Sequence, residues 1–294
     1  MSRKPPDASG GGRTRLAQGS RAERGKGKKK MKILVNILIA EGLISSLTVL
    51  LTFTALLLIL LWKATRGWTL EMRHLPGLDA IDEAVGRAAE MGRPIVSNPG
   101  LGGLRGGPVT IAGLSVVTHI SRLAARNGAK LIVPVSNPEL LPVVYENVRE
   151  SYLLEGVPED FNPEEQIRWL SPNQFSWTAA LQGIAEREKV ASNVMIGAFA
   201  AEAMILAETF ARVGAFQVGG LTNTYQIPFF VAACDYTLIR DEMLAAGAYL
   251  SKDPEQIATI GAEDVFKLIF VVIIIVGSIL AAFGNTAIVQ LLGK

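Results

Sequence analysis

The chain has 294 residues, 49% of them hydrophobic, and a net charge of +2. That length allows one or two domains, and a single cysteine, Cys234, excludes both an intrachain disulfide and a cysteine zinc cluster. The charge is uneven: residues 1–30 carry ten Lys or Arg against two acids, net +8, which leaves −6 for residues 31–294, so the remainder is mildly acidic and no nucleic-acid partner is expected.

Residues 1–32 are rich in Gly, Arg, Lys and Ser and nearly free of large apolar side chains, the composition of a disordered basic tail. Its cluster from Lys26 to Lys30 suits anionic lipid headgroups, and Met31 offers an alternative start of translation. Residues 33–62 are expected to hold a transmembrane helix. From Gly42 to Trp62 there are 21 residues without a charge, and at ~1.5 Å rise per residue they cover a hydrocarbon core of ~30 Å. Glu41 bounds one end, and Trp62, Lys63, Arg66 and Trp68 anchor the other. The hydroxyls of Thr48, Thr52 and Thr54 are tolerable there because they can bond back to helix carbonyls. A buried helix of a soluble protein is the alternative reading.

Residues 63–264 read as an α/β domain. After a linker that ends at Pro76-Gly77, Asp79–Met91 has the apolar spacing of an amphipathic helix closed by Gly92. Ile95 and Val96 form a strand that Ser97-Asn98-Pro99-Gly100 stops, and five glycines follow between Gly100 and Gly107. Pro108 opens a helix, Asn127-Gly128 ends it, and Leu131-Ile132-Val133 is a buried-type strand. A helix over 139–155, a loop, and a short strand over 166–170 come next. Ser171 as cap and Pro172 as first residue then begin a helix that runs to about Lys189. Strands over 193–197 and 215–218 flank a helix over 199–213, and Gly219-Gly220 closes the second of them. The stretch 228–233 is ambiguous between strand and helix, and 236–250 reads as a helix capped by Asp235. This alternation predicts a mostly parallel sheet with flanking helices, Rossmann-like, plus two transmembrane helices.

The second transmembrane helix is expected within 265–292, because 26 uncharged residues separate Lys267 from Lys294. Gly277, Ala281 and Gly284 recur at i, i+4 and i+7, a small-residue stripe through which the span could form a homo-oligomer or pair with the first span. Glycine and alanine are also simply common in spans, so the stripe does not decide between these readings.

The candidate ligand-binding residues are Ser97, Asn98, Gly100, Gly102, Gly103, Arg105, Gly106, Ser136 and Asn137. A helix N-terminus behind a glycine loop gathers unpaired N–H groups and positive dipole, which suits an anion, and Arg105 adds a charge. Ser97-Asn98-Pro99 and Ser136-Asn137-Pro138 each end a strand, so parallel neighbours would bring both to one carboxyl edge. The spacing Gly100-x-Gly102-Gly103-x-x-Gly106 is one residue off the dinucleotide fingerprint and has no Walker lysine. The plainer reading is close-packed loop and turn chemistry, and the sequence favours it, since a lone near-match has little specificity. The polar run Asn223-Thr224-Tyr225-Gln226 is a weaker ligand contact. Glu202 and Glu208, six residues apart, share no helix face and read as solvated or helix-end carboxylates. His74 and His119 give no metal-ligand spacing, so no metal site is expected and no cofactor is identified.

Four stretches carry a resemblance: Ala84-Val85-Gly86-Arg87-Ala88, Met91-Gly92-Arg93-Pro94, the glycine loop at 100–107, and residues 240–250 from Arg240-Asp241-Glu242 to Ala248-Tyr249-Leu250. With them the chain, over about residues 63–294, resembles an uncharacterised family of prokaryotic membrane proteins, a domain of unknown function. The resemblance implies a membrane-tethered domain and no particular chemistry. Two functions are then open: a non-enzymatic module at the cell membrane that binds a partner or assembles, in contact with membrane lipids, or a domain that binds a small anionic or nucleotide-like ligand at the glycine loop. The sequence leans to the first, and against an enzyme, because no residues form a recognisable acid–base or nucleophile set. A two-pass topology puts both termini on one side. Nine Lys or Arg in 13–32 against three in 63–80 would send the domain outward, whereas a start at Met31 reverses that bias. A lone free cysteine and a Rossmann-like alternation tip the expectation to a cytoplasmic domain.

Overall fold

The computed structural model describes residues 43–64, 66 and 76–282. The basic tail, residues 33–42 of the first expected span and residues 283–292 of the second lie outside the described residues. Leu60–Gly261 forms one compact unit, and the described residues up to Ile59 together with those from Ala262 form another.

In chain order the elements are α1 (Leu43–Ala64), α2 (Pro76–Met91), β1 (Ile95–Gly100), α3 (Pro108–Asn127), β2 (Leu131–Val135), α4 (Leu141–Leu154), β3 (Ile167–Trp169), α5 (Gln174–Glu188), β4 (Ser192–Ala198), α6 (Glu202–Arg212), β5 (Phe216–Leu221), α7 (Ile227–Ala233), β6 (Tyr236–Ile239), α8 (Asp241–Ser251) and α9 (Pro254–Ala282). The six strands form one sheet in the order β3-β2-β1-β4-β5-β6, and each described pairing is parallel. The expected α/β class therefore holds.

Alternation along the strands decides which layer each residue enters. Ile95, Leu131, Val133, Val194, Ile196 and Val218 face a core closed by α2, α3, α4 and α8. Their neighbours Val96, Ile132 and Met195 face the opposite core, where Trp177 and Leu181 of α5, Leu206 and Phe210 of α6, and Phe230 of α7 are buried. Because both faces are covered, β1, β2 and β4 are buried along nearly their whole length.

The structure corrects several boundaries. β1 does not stop at Val96; it continues through Ser97, Asn98 and Pro99 to Gly100. β5 likewise runs through Gly219 and Gly220, where a Cβ on Gly219 would sit 2.6 Å from the Phe230 ring, so the glycine makes room for α7. Tyr236–Ile239 is a sixth strand rather than the start of a helix. Asp235 consequently caps no helix, and its Oδ2 accepts the Gln217 N–H at 2.7 Å instead. Helix α5 is capped by Asn173, whose Oδ1 accepts from the N–H groups of Phe175 and Ser176, and not by Ser171.

Among the described residues one helix, α3, is long and apolar enough to cross a membrane. It is a crossover helix of the sheet and more than half buried in the domain. Two spans were expected elsewhere. Helix α1 has a shorter apolar stretch, Val49–Lys63, and α9 carries Glu255, Glu263, Asp264 and Lys267 before its aliphatic part. The described residues thus hold one such helix, not the expected pair. Within their own unit α1 and α9 meet through Phe53 and Phe266, whose rings are 5.0 Å apart, edge to face. Thr54 Oγ1 does bond back to the Leu50 carbonyl, at 2.8 Å.

A tight joint in the domain is where α3 crosses β4. A Cβ on Gly113 would lie 2.6 Å from the Ile196 carbonyl oxygen, a backbone atom that cannot swing away. Gly113→Ala is therefore expected to lower stability by about 1–3 kcal/mol through overpacking, read as a fall in the melting temperature of the purified chain.

Candidate functional site

Strand order fixes where a site can form. Proceeding from β1, the chain winds to β2 and β3 on one side and to β4, β5 and β6 on the other. The order reverses between β1 and β4, and in open parallel sheets that switch point opens a crevice at the carboxyl edge. Here β1 and β4 change register between Asn98 and Gly100. A Cβ on Gly197 would meet the Pro99 carbonyl oxygen at 1.9 Å, so only glycine permits this approach. Leu101 N–H then donates to the Ala198 carbonyl at 2.9 Å, which ties the glycine loop to the end of β4.

The loop after β1 makes a 3₁₀ turn at Leu104–Gly106 and enters α3 through Gly107, whose φ of +67° suits glycine and which supplies no side-chain cap. Beneath it lies the hydroxyl of Thr110, in the first turn of α3. That oxygen is 2.4 Å from where a Cβ on Gly102 would be and 2.2 Å from one on Gly106. The loop leans toward β2, since a Cβ on Gly103 would lie 2.2 Å from Asn137 Nδ2. Asn137 Oδ1 accepts the Glu139 N–H at 3.0 Å, holding its amide nitrogen toward the loop.

Of the nine residues singled out in the sequence, eight gather here. Ser97 and Asn98 are each 1% exposed at the end of β1. Asn98 Oδ1 accepts the Gly100 N–H at 2.9 Å, while Asn98 Nδ2 and Ser97 Oγ have no partner. Thr110 Oγ1 is equally buried and equally unpartnered. Arg105 is exposed on the loop's turn. Ser136 is the exception: its hydroxyl donates to the Ser171 carbonyl at 3.0 Å and is spent on the connection after β3.

Three participants were missed in the sequence. Thr110 sat unremarked at the start of an apolar helical run. Glu202, read as a solvated or helix-end carboxylate, is a helix-end residue, the first of α6, but it is fully buried there, and it accepts from Ala200 N–H at 2.7 Å and from the Gln174 amide. Glu208, by contrast, is exposed. Arg240 ends β6 with φ +51° and ψ −103°, a backbone region that costs a non-glycine residue about 1–3 kcal/mol. Its guanidinium donates to Thr224 Oγ1 at 3.2 Å, and Asn223 Nδ2 reaches the Phe199 carbonyl at 3.4 Å, so the polar run 223–226 joins the same edge. Helices α3, α4, α5, α6, α7 and α8 each follow a strand and begin at this edge, so their positive dipole ends converge on it.

His119 Nε2 lies 3.0 Å from Asp82, and His74 falls outside the described residues. Burial pushes the Cys234 thiol up to about 12, so it carries negligible thiolate at neutral pH. Among the described residues no three His, Cys, Asp or Glu side chains form a metal-ligating group. A hollow of about 730 Å³ opens at the opposite, amino edge, lined by Arg93, Lys130, Tyr152, Gln166, Arg168 and Glu188. Arg168 pairs with Glu188 there and Arg93 with the Lys189 carbonyl, charges that serve the fold. Helix C-termini converge on that side and disfavour an anion.

The sequence family described as a domain of unknown function, DUF6754, matches residues 36–292. The chain belongs to that family. Its match begins well before residue 63, where the resemblance had been placed, so it takes in α1 and the linker as well as the sheet and α9. No curated protein and no solved structure matches the chain.

The unpartnered atoms under the loop yield a direct prediction. A buried polar atom without a partner costs about 1–3 kcal/mol. Ser97→Ala and Thr110→Val remove that cost with little change in shape, so each should raise the melting temperature of the ligand-free protein. A fall in both would mean that the two hydroxyls are satisfied within the fold.

Proposed function

We propose that the chain is a membrane-anchored α/β protein that binds a small phosphate-bearing ligand, nucleotide-like in kind, at the carboxyl edge of its sheet. The observation that carries this is that buried donors without partners flank the glycine loop beside the switch point: Ser97 Oγ and Thr110 Oγ1 on the α3 side of the sheet, and Asn98 Nδ2 on the other. Phosphate oxygens only accept, and these groups can all donate. The N-terminus of α3 and Arg105 supply positive potential above them. Asn137, at the end of β2, sits where a bound sugar hydroxyl would be read in folds of this order. The buried carboxylate of Glu202 is held by the Ala200 N–H and the Gln174 amide, and its place beside Gln174 suits orienting a ligand donor.

Anchoring is supported by the charge-free run 42–62 and by exposed aliphatic side chains on both terminal helices, among them Leu50, Leu58, Leu268, Val272 and Ile275. The domain faces the cytoplasm on this reading, where a free thiol such as Cys234 is ordinary. Assembly through Gly277, Ala281 and Gly284 is the second reading. It is favoured by Gly277, which is buried on α9 although its neighbours are exposed.

Alkaline carbonate washing of membranes should leave the chain in the pellet, and its release into the supernatant would remove the anchors. For the ligand, inorganic phosphate and AMP should raise the melting temperature of the detergent-solubilised full chain. A ligand at a hundred times its Kd adds about 2.7 kcal/mol to native stability. Arg105→Ala should abolish the rise while leaving the ligand-free melting temperature within a few degrees, and Gly103→Val, whose side chain would displace Asn137, should abolish the rise as well. An undiminished rise in both variants would exclude the glycine loop.

A further inference from the structure

We infer that the phosphate-bearing ligand is an amphiphile: a phosphate monoester that carries a hydrocarbon chain. This deepens the phosphate-binding reading above and rests on it. The polar floor of the carboxyl edge is bordered by large apolar side chains that protein leaves open to water. Leu104 is 53% exposed, Trp169 51%, Phe175 60% and Tyr225 87%. Each lies directly beyond the carboxyl end of a strand: Leu104 in the loop after β1, Trp169 and Phe175 at and after the end of β3, Tyr225 after β5.

These segments form one continuous edge. The loop after β1 bonds to the end of β4 through Leu101 and Ala198. The loop after β4 meets the start of α5 through Glu202 and Gln174, and the loop after β5 through Phe199 and Asn223. The loop after β2 reaches the loop after β3 through Ser136 and Ser171.

Two cations sit beside apolar side chains on that edge. Arg105 follows Leu104 on the same turn, and Arg240 holds Thr224, the residue before Tyr225. A guanidinium beside an exposed apolar side chain matches the junction of a phosphate head with its hydrocarbon. Tyrosine and tryptophan are the side chains that tolerate such a boundary, with one end apolar and the other wet. A purely polar phosphate ester would leave these side chains in water, whereas each methylene laid against them gains up to ~0.8 kcal/mol. Membrane anchors would also keep the domain within reach of lipid and raise its effective concentration.

The test uses the full chain in phosphatidylcholine nanodiscs, titrated with glycerol 3-phosphate, dihexanoyl phosphatidic acid and dihexanoyl phosphatidylcholine. Phosphatidic acid should bind at least about tenfold more tightly than glycerol 3-phosphate, and the phosphatidylcholine should not bind. Arg105→Ala should weaken both phosphate esters. The triple variant Leu104→Ser, Phe175→Ser, Tyr225→Ser, all at sites more than half exposed, should reduce phosphatidic acid to the affinity of glycerol 3-phosphate and leave the latter unchanged. Equal binding of the two esters by the wild type overturns the amphiphile and leaves the phosphate site standing. No binding of either overturns both. Binding of phosphatidylcholine, or an advantage for phosphatidic acid that survives in the triple variant, shows adsorption elsewhere and overturns the inference.

Discussion

The domain depends on one close approach of backbones. Pro99 and Gly197 bring β1 and β4 together so tightly that a Cβ on Gly197 would lie 1.9 Å from the Pro99 oxygen. Beside them Gly113 lets α3 rest on the Ile196 carbonyl. The two contacts set the height of α3 over the sheet and the direction in which the glycine loop leaves β1. Since β1 and β4 flank the reversal of strand order, the same joint that closes the core also lies at the switch point. A single methyl group at either glycine would push apart the elements whose ends form the site.

Much of this was legible because the strong signals are local. Pro108 and Gly128 bound α3 as helix start and stop signals do, and the β-branched runs at 95–96 and 131–133 fall in β1 and β2. The errors fall where tertiary packing overrode a local rule. Gly219-Gly220 was taken for a strand end, yet the missing side chain is what admits Phe230 against β5. β6 was absorbed into a helix because no glycine or proline separates Ile239 from Asp241; Arg240 makes the turn itself, in a strained conformation. Such strain is invisible to propensity, since arginine is a good helix former.

The site was half legible for the same reason. Glycines, a proline and Asn-Pro turns announced the loop and the strand ends. Nothing in Val109-Thr110-Ile111 distinguishes Thr110 from any β-branched residue in a helical run, and its importance follows only from the loop folding back over it. Glu202 was discounted by its spacing from Glu208. Spacing along one helix is the wrong test for a side chain whose partners, Gln174 and Ala200, lie on another element and on the preceding loop. Ser136, in contrast, matched the pattern of Ser97 in sequence but is satisfied by Ser171.

Unpartnered buried polar atoms occur at both edges of the sheet, Ser192 Oγ and Gln166 Oε1 at the amino edge among them, but those at the carboxyl edge lie beside helix N-termini and the glycine loop, and that setting is the physical basis for placing function there. At the amino edge the charges are consumed: Arg168 by Glu188, Arg93 by main-chain carbonyls at the ends of helices. A helix C-terminus needs such donors, so these side chains complete the fold. At the carboxyl edge the fold holds Ser97, Asn98 and Thr110 buried with donors unspent, strains Arg240, and leaves Tyr225 in water. Each of these features costs stability that an alanine, a glycine or a serine would recover. Costs of this kind, gathered where six helix N-termini converge, are the expected mark of a surface completed by something other than the chain itself.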